Sequence, residues 1–308
     1  MQFFLISARQ RHLGQLAQHS YIPQLDQGEA MMETGQTVAE HYAHGSLEQA
    51  ILDALSVGGK DPSHLTHTDL TPVDEFHIGG REATIDLAQQ LPFRPGSHVL
   101  DIGCGLGGAS RYFAQERGCR VTGIDLTEDY VRVAGLLAAR VGLSDRISYR
   151  HGSALALPFA PQSFDGAYML HVGMNIRDKA VLFAEVHRVL KQDGTFAIYD
   201  VMRETEGGEL AFPVPWASRP GISFVDGPAT YRSLLERAGF VVQVERSRRD
   251  FPIDFFRQMR ARAAASGGPP SLGLHILMGA SAPQKVANMI SNLEAGLIAP
   301  TEVISRAG

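Results

Sequence analysis

A short apolar run, His98-Val99-Leu100-Asp101-Ile102, passes without a break into Gly103-Cys104-Gly105-Leu106-Gly107-Gly108, and a helical pattern begins directly behind it. A strand that ends in a glycine-dense turn and opens a helix leaves few folds available. Bare backbone N–H groups collect at a helix N-terminus, where a ligand can come close. Such a unit must sit in a larger sheet, and the rest of the chain supplies one. Arg81–Leu91 precedes it as an amphipathic helix stopped by Pro92, Pro95 and Gly96. Behind it the spacing predicts helix 108–117, strand 120–125, helix 128–142, strands 146–151 and 164–170, helix 178–190 and strand 194–202. Helix Pro228–Ala238, strand Gly239–Arg246, helices Asp254–Ala265 and Pro283–Leu293, and a last strand Ile298–Ser305 complete the pattern. Apolar strands alternating with amphipathic helices predict an α/β fold, a doubly wound and mainly parallel sheet covered on both faces. Pro300 is expected to leave the start of the last strand poorly paired.

Four stretches stand apart from this alternation. Residues 1–32 show little periodicity and are expected to be a disordered extension. Residues 33–75 read as an N-terminal helical lid, apolar at Val38, Leu47, Ile51 and Leu55, with a break near Gly45 and a loop over 61–75. The remainder, 76–308, forms one domain interrupted by lid insertions at 203–227 and 252–296. The first insertion carries Phe212-Pro213-Val214-Pro215-Trp216, and long irregular connections of this kind often bind ligands.

Composition narrows the partners. A formal charge of -5 and a pI near 6.2 give no broad attraction to phosphate backbones, so a small molecule is expected and a nucleic acid is not. Two cysteines, Cys104 and Cys119, make neither a disulfide framework nor a metal-ligand spacing. They read as reduced thiols of a cytoplasmic protein without a metal. The N-terminal run Phe3–Ile6 is too short for a signal core, and no stretch approaches the roughly 20 apolar residues that span a bilayer. No membrane partner is expected; a homodimer is left open.

Glycines 103, 105 and 108 also spell G-x-G-x-x-G, which by itself suits a dinucleotide. Asp125, at the end of the second strand, can accept from ribose hydroxyls of either kind of adenosine cofactor. Asp101 separates the two, because a carboxylate at the mouth of the first strand suits a cationic amino group and repels a pyrophosphate. A plainer alternative has Asp101 capping the turn and the glycines merely tightening it.

The segment Val99–Gly108 resembles the first motif of class I S-adenosylmethionine-dependent methyltransferases, and Val121-Thr122-Gly123-Ile124-Asp125-Leu126 the second. His151–Phe159, Ser163-Phe164-Asp165 and Val189–Thr195 are similar to the remaining landmarks of the quinone-biosynthesis-like branch. Phe76–Thr84 is similar to a stretch of sarcosine/dimethylglycine-type enzymes. The likeness covers roughly residues 75–305 and implies a Rossmann-like sheet of seven strands, six parallel and the antiparallel last one inserted next to the edge. It further implies S-adenosylmethionine as cofactor. Asp101, Gly103 and Gly105, with Gly107 in the same loop, would hold the methionine portion, Asp125 the ribose, and Leu126 with Ala154 the adenine. Ser153 stands where the family usually has an acid that accepts from the adenine amino group. Gly79-Gly80 would open a helix whose N-terminus, at Gly80, faces the methionine carboxylate.

The activity implied is methyl transfer to nitrogen, oxygen or carbon of a small molecule by direct displacement, giving S-adenosylhomocysteine. The alternatives are a nicotinamide-dependent oxidoreductase and a protein that binds S-adenosylmethionine without turnover. His171, after the fourth strand, is the first residue expected to position or deprotonate the acceptor. It is also placed to border the cofactor. His77 is expected to line the acceptor cavity, and Tyr42 to lie over the cofactor as an aromatic lid. Phe212, Trp216, Met259, His275 and Met278 are candidates for the cavity wall. An anionic amine acceptor would need Arg81 or Arg219; an apolar one would not.

Overall fold

The computed structural model describes residues 47–205, 207–265 and 270–308. The extension 1–32, the first part of the 33–75 segment, the break at Gly45 and Tyr42 lie outside them. The strands are β1 (His98–Ile102), β2 (Arg120–Asp125), β3 (Ile147–His151), β4 (Phe164–Leu170), β5 (Leu190–Arg203), β6 (Phe240–Ser247) and β7 (Ile298–Ala307). They form one sheet in the order β3-β2-β1-β4-β5-β7-β6. β7 runs antiparallel to both its neighbours and the other six strands share one direction, the arrangement that the family likeness implied.

The helices among the described residues are α1 (Leu47–Val57), α2 (Thr71–Asp74), α3 (Gly80–Gln90), α4 (Gly108–Glu116), α5 (Glu128–Arg140), α6 (Lys179–Val189), α7 (Pro228–Arg237), α8 (Asp250–Ala265), α9 (His275–Met278) and α10 (Ala282–Glu294). Leu87 of α3, Phe113 of α4 and Ala138 of α5 pack with Val99, Tyr168 and Ala197 on one face of the sheet. Leu182, Phe183 and Val186 of α6 with Tyr231 and Leu235 of α7 cover the other, against Leu100, Ile102 and Ile198. The central strands are buried on both faces, which is why they read as continuous apolar runs rather than alternating ones. α1 lies against α5 through Leu47, Ile51, Tyr130, Val133 and Leu137.

Three expectations need correction. Pro300 is not poorly placed: it sits opposite Val201 in a strand flanked on both sides, and its carbonyl accepts from the Arg248 backbone N–H at 2.8 Å. In an antiparallel strand a residue's N–H and C=O point to the same neighbour. The donor that proline lacks therefore points past Ser247, the last residue of β6. α8 begins at Asp250 rather than Asp254, because Pro252 falls in the first turn, where no N–H is required. The 61–75 stretch, read as loop, contains the short helix α2 with proline at its start.

Candidate active site

At the carboxyl ends of β1 and β4 the strand order reverses, and the connections leave in opposite directions to open a crevice. A cavity of about 1390 Å³ occupies it. Single-ligand pockets run to roughly 1,000 Å³, so this one has room for a cofactor and an acceptor together.

The glycine loop forms one wall. Gly103 has φ +68° and Gly107 φ +79°, the left-handed region that side chains avoid. A β-carbon would also run into the Val172 side chain at the first position and into the Tyr149 ring at the second. Asp125 fastens the loop from β2: Oδ2 accepts from the Gly105 N–H at 2.8 Å and Oδ1 from the Thr127 N–H at 2.9 Å. Asp101 is buried at the end of β1, where Oδ2 accepts from the Ser110 hydroxyl at 2.6 Å, and burial pushes its carboxyl up to about 7. Leu126, Ser153 and Ala154 line the far end of the same crevice. Ser153 Oγ accepts from the Leu155 N–H at 3.1 Å, closing a local turn.

Beneath the loop lies an arrangement that the sequence did not disclose. Asp74, at the end of α2, forms a buried ion pair with Arg111 of α4. A β-carbon at Gly108 would strike the Asp74 carbonyl, so the pair holds α2 tight under the loop. Next to it Glu75 is buried and pushed up to about 8, first by burial and then by the Asp74 charge, and its Oε2 accepts from the Thr84 hydroxyl at 2.8 Å. Arg111 lies two residues from Ala109 and from Phe113, on the opposite side of α4, and the helix is buried all the way from Gly108 to Ala114, so hydrophobic phase gives no signal for its buried partner.

His77 and His171 come together at the centre of the cavity wall, ring centroids 5.9 Å apart. His77 is buried and not an exposed loop residue, with Nε2 2.9 Å from the Gly80 carbonyl. Burial holds it down to about 4. His171 has φ +55°, which is uncommon for a side-chain-bearing residue and costs of order 1–3 kcal/mol. Its N–H donates to the Tyr199 carbonyl at 2.7 Å, its ring stacks on that of Tyr199, and burial holds it well below the ordinary histidine range. Gly80 also borders the cavity at the first turn of α3.

The other half of the cavity is apolar. The 203–227 and 252–296 insertions pack together around Val214, Trp216, Phe256 and Met289. They present Trp216, Phe255, Phe256, Met278 and Met289 to the interior, and the turn after β4 adds Met174. Met259 and His275 line it as well, whereas Phe212 packs behind the wall. Arg219 is exposed and away from the cavity. Arg81 borders it but lies over the Tyr112 ring and 3.7 Å from Glu116. Among the described residues no group of three or more His, Cys, Asp or Glu is placed to hold a metal ion, and no helix is long and apolar enough to cross a membrane.

Residues 100–198 match the family described as methyltransferase domain. The chain is 36% identical over 114 residues to sterol 24-C-methyltransferase ERG6B of Gibberella zeae, covering 37% of this chain and 30% of that protein. It is 33% identical over 186 residues to erythromycin 3''-O-methyltransferase of Saccharopolyspora erythraea, covering 56% and 61%. The chain thus spans less than two thirds of the length of these curated relatives. Its fold is shared with a putative sarcosine dimethylglycine methyltransferase from Galdieria sulphuraria, with TM-score 0.60 and 22% identity over 74% of this chain and 85% of that one. Residues 100–198 thus carry a methyltransferase domain, set in a sheet whose strand order is the one that the likeness to class I S-adenosylmethionine-dependent methyltransferases implied.

Proposed function

We propose that this chain transfers a methyl group from S-adenosylmethionine to a small, largely apolar acceptor. The observation that carries the proposal is the single cavity that joins the Asp101–glycine loop–Asp125 crevice to an apolar chamber. When bound, S-adenosylmethionine supplies a methyl group on a positively charged sulfur, already activated for displacement. The protein's part is then to align the acceptor and keep water away. Asp101 receives the methionine ammonium, Gly103, Gly105 and Gly107 give the backbone room, and the first turn of α3 at Gly80 faces the carboxylate. Asp125 takes the ribose, while Leu126, Ala154 and Ser153 take the adenine. His171 borders the cofactor and acceptor halves. Of the two arginines considered for an anionic acceptor, Arg219 lies off the cavity, and Arg81 borders it with its guanidinium over the Tyr112 ring and 3.7 Å from Glu116, which supports the apolar class. A nicotinamide would bring its pyrophosphate against the Asp101 carboxylate, which disfavours the oxidoreductase alternative. Two buried free thiols, Cys104 and Cys119, support a cytoplasmic setting.

Labelled methyl transfer from S-adenosylmethionine to a panel of apolar phenols, quinols and amines, read by mass increment, tests the proposal. Incorporation into at least one apolar acceptor supports it. Incorporation confined to anionic amines contradicts it.

Two expected outcomes concern the cofactor half. Burial pushes the Asp101 carboxyl up to about 7, and a bound ammonium favours its carboxylate form, so below that pH binding must expel a proton. Affinity is expected to fall by up to about tenfold per pH unit below 7 and to level off above it; a flat calorimetric profile from pH 5.5 to 8.5 would sink the assignment of Asp101. Ser153→Asp is expected to tighten binding a few-fold. An aspartate keeps the turn with the Leu155 N–H and offers a charged acceptor to the adenine amino group. An unchanged or weaker dissociation constant means that residue 153 faces elsewhere.

A further inference from the structure

The two histidines present opposite hydrogen-bonding atoms to the cavity, and one short turn decides both. The Gly80 carbonyl can only accept, so the His77 Nε2 that lies 2.9 Å from it must carry the proton. The Thr84 hydroxyl, which donates to Glu75, accepts from the same Nε2 at 3.1 Å. A neutral ring with its proton on Nε2 has its lone pair on Nδ1, which meets no partner among the described residues. One residue farther on, the Ile78 N–H donates to His171 Nδ1 at 3.4 Å. That uses the lone pair of His171 and puts its proton on Nε2, a buried donor with no partner among the described residues. Both residues line the cavity. An unpaired buried donor costs about 1–3 kcal/mol, and the left-handed backbone of His171 adds to that cost, which marks the pair as functional rather than structural.

We infer that His77, through Nδ1, accepts the proton of an acceptor hydroxyl, and that His171, through Nε2–H, orients that oxygen without being able to deprotonate it. This rests on the methyltransferase function proposed above and names its acceptor class: an otherwise apolar molecule with a hydroxyl group as nucleophile. In the step, an oxygen lone pair forms the bond to the methyl carbon as the carbon–sulfur bond breaks with its electrons to sulfur. The O–H proton passes to His77 Nδ1, and its bonding pair stays on oxygen. The resulting imidazolium then returns its proton to solvent.

The surroundings of His77 suit this task. Glu75, 3.7 Å from Nε2, is neutral over most of the physiological range, and the remaining faces are the Thr84 hydroxyl, the Tyr199 ring and the His171 ring. No fixed cation faces the ring from these elements. Burial keeps it free of a proton at neutral pH. So weak a base suffices because an oxygen that is gaining a methyl group becomes a strong acid.

The test uses the full chain and apolar phenols of graded acidity, up to 4-nitrophenol, with three readouts. Nitrogen NMR of the histidine-labelled chain is expected to show both rings neutral with the proton on Nε2; a proton on Nδ1 of His77 overturns the inference. His77→Gln keeps a donor for Gly80 and loses the Nδ1 base. It is expected to bind S-adenosylmethionine within about twofold of the parent. Its kcat should fall about 10²-fold or more with the least acidic phenols, the range of general-base catalysis, and less than about fivefold with nitrophenolate. His171→Ala, which removes the donor, is expected to lose one constant factor across the whole series. An acidity-dependent loss at His171, or a uniform loss at His77, overturns the assignment. Cofactor binding with methylation of other acceptors but of no phenol or alcohol overturns the hydroxyl class alone. Absence of cofactor binding by the parent chain overturns the underlying function instead.

Discussion

Asp101→Asn is expected to weaken S-adenosylmethionine binding by about tenfold to a hundredfold while leaving the protein folded. Asparagine has the shape of aspartate, and its side-chain carbonyl still accepts from the Ser110 hydroxyl. What is lost is the negative charge opposite the ammonium, and a hydrogen bond to a charged group contributes roughly 1.5–3 kcal/mol. The same substitution should raise stability with a characteristic pH dependence. The Asp101 carboxyl is pushed up to about 7 in the folded chain, so between its ordinary value and 7 the native state holds a proton that the unfolded state has released. Parent stability therefore declines as pH rises through that window, and the asparagine variant escapes the decline. Its advantage in Tm should be full at pH 8 and vanish near pH 4. An affinity within twofold of the parent would show that the carboxylate does not meet the ammonium.

Arg111→Met is expected to be the most destabilising of the substitutions discussed. It strands Asp74 in the interior next to Glu75, and breaking a buried ion pair by removing one partner costs about 3–5 kcal/mol. At roughly 2–4 °C per kcal/mol for a chain of this size class, Tm should fall by about 6–20 °C. Asp74→Asn in the same chain should restore at least half of the loss, because the penalty belongs to the uncompensated charge rather than to missing packing. Since the pair holds α2 against Gly108, cofactor affinity should fall with Arg111→Met as well. A loss below 1 kcal/mol, or no recovery in the double variant, would mean that the pair is not the clamp described.

The crevice of Asp101, the glycine loop and Asp125 is legible in the sequence because its geometry is local. A strand end, a glycine loop and a helix start follow one another in sequence, and the carboxylate of Asp125 lies at the next strand end in register with them. The sheet order was legible only through family likeness, since hydrophobic periodicity carries no information on which strands are neighbours. Pro300 misled for the same reason: a proline disfavours pairing in general, but which neighbour loses the donor depends on the register of three strands. The apolar half was hidden because its wall is assembled from segments spread along the chain from Met174 to Met289, with Trp216 and Phe256 between them, which meet only after folding. The two histidines are candidates by residue type and position alone. Their distinct tasks depend on backbone groups of Ile78 and Gly80, which no side-chain pattern encodes.

Calorimetric titration of the chain with S-adenosylmethionine, and in parallel with NADH, tests the central assignment most directly. Saturable one-site binding of S-adenosylmethionine, weakened in Asp101→Asn and below pH 7, with no heat from NADH, is the expected result. Saturable NADH binding with none of S-adenosylmethionine would contradict it.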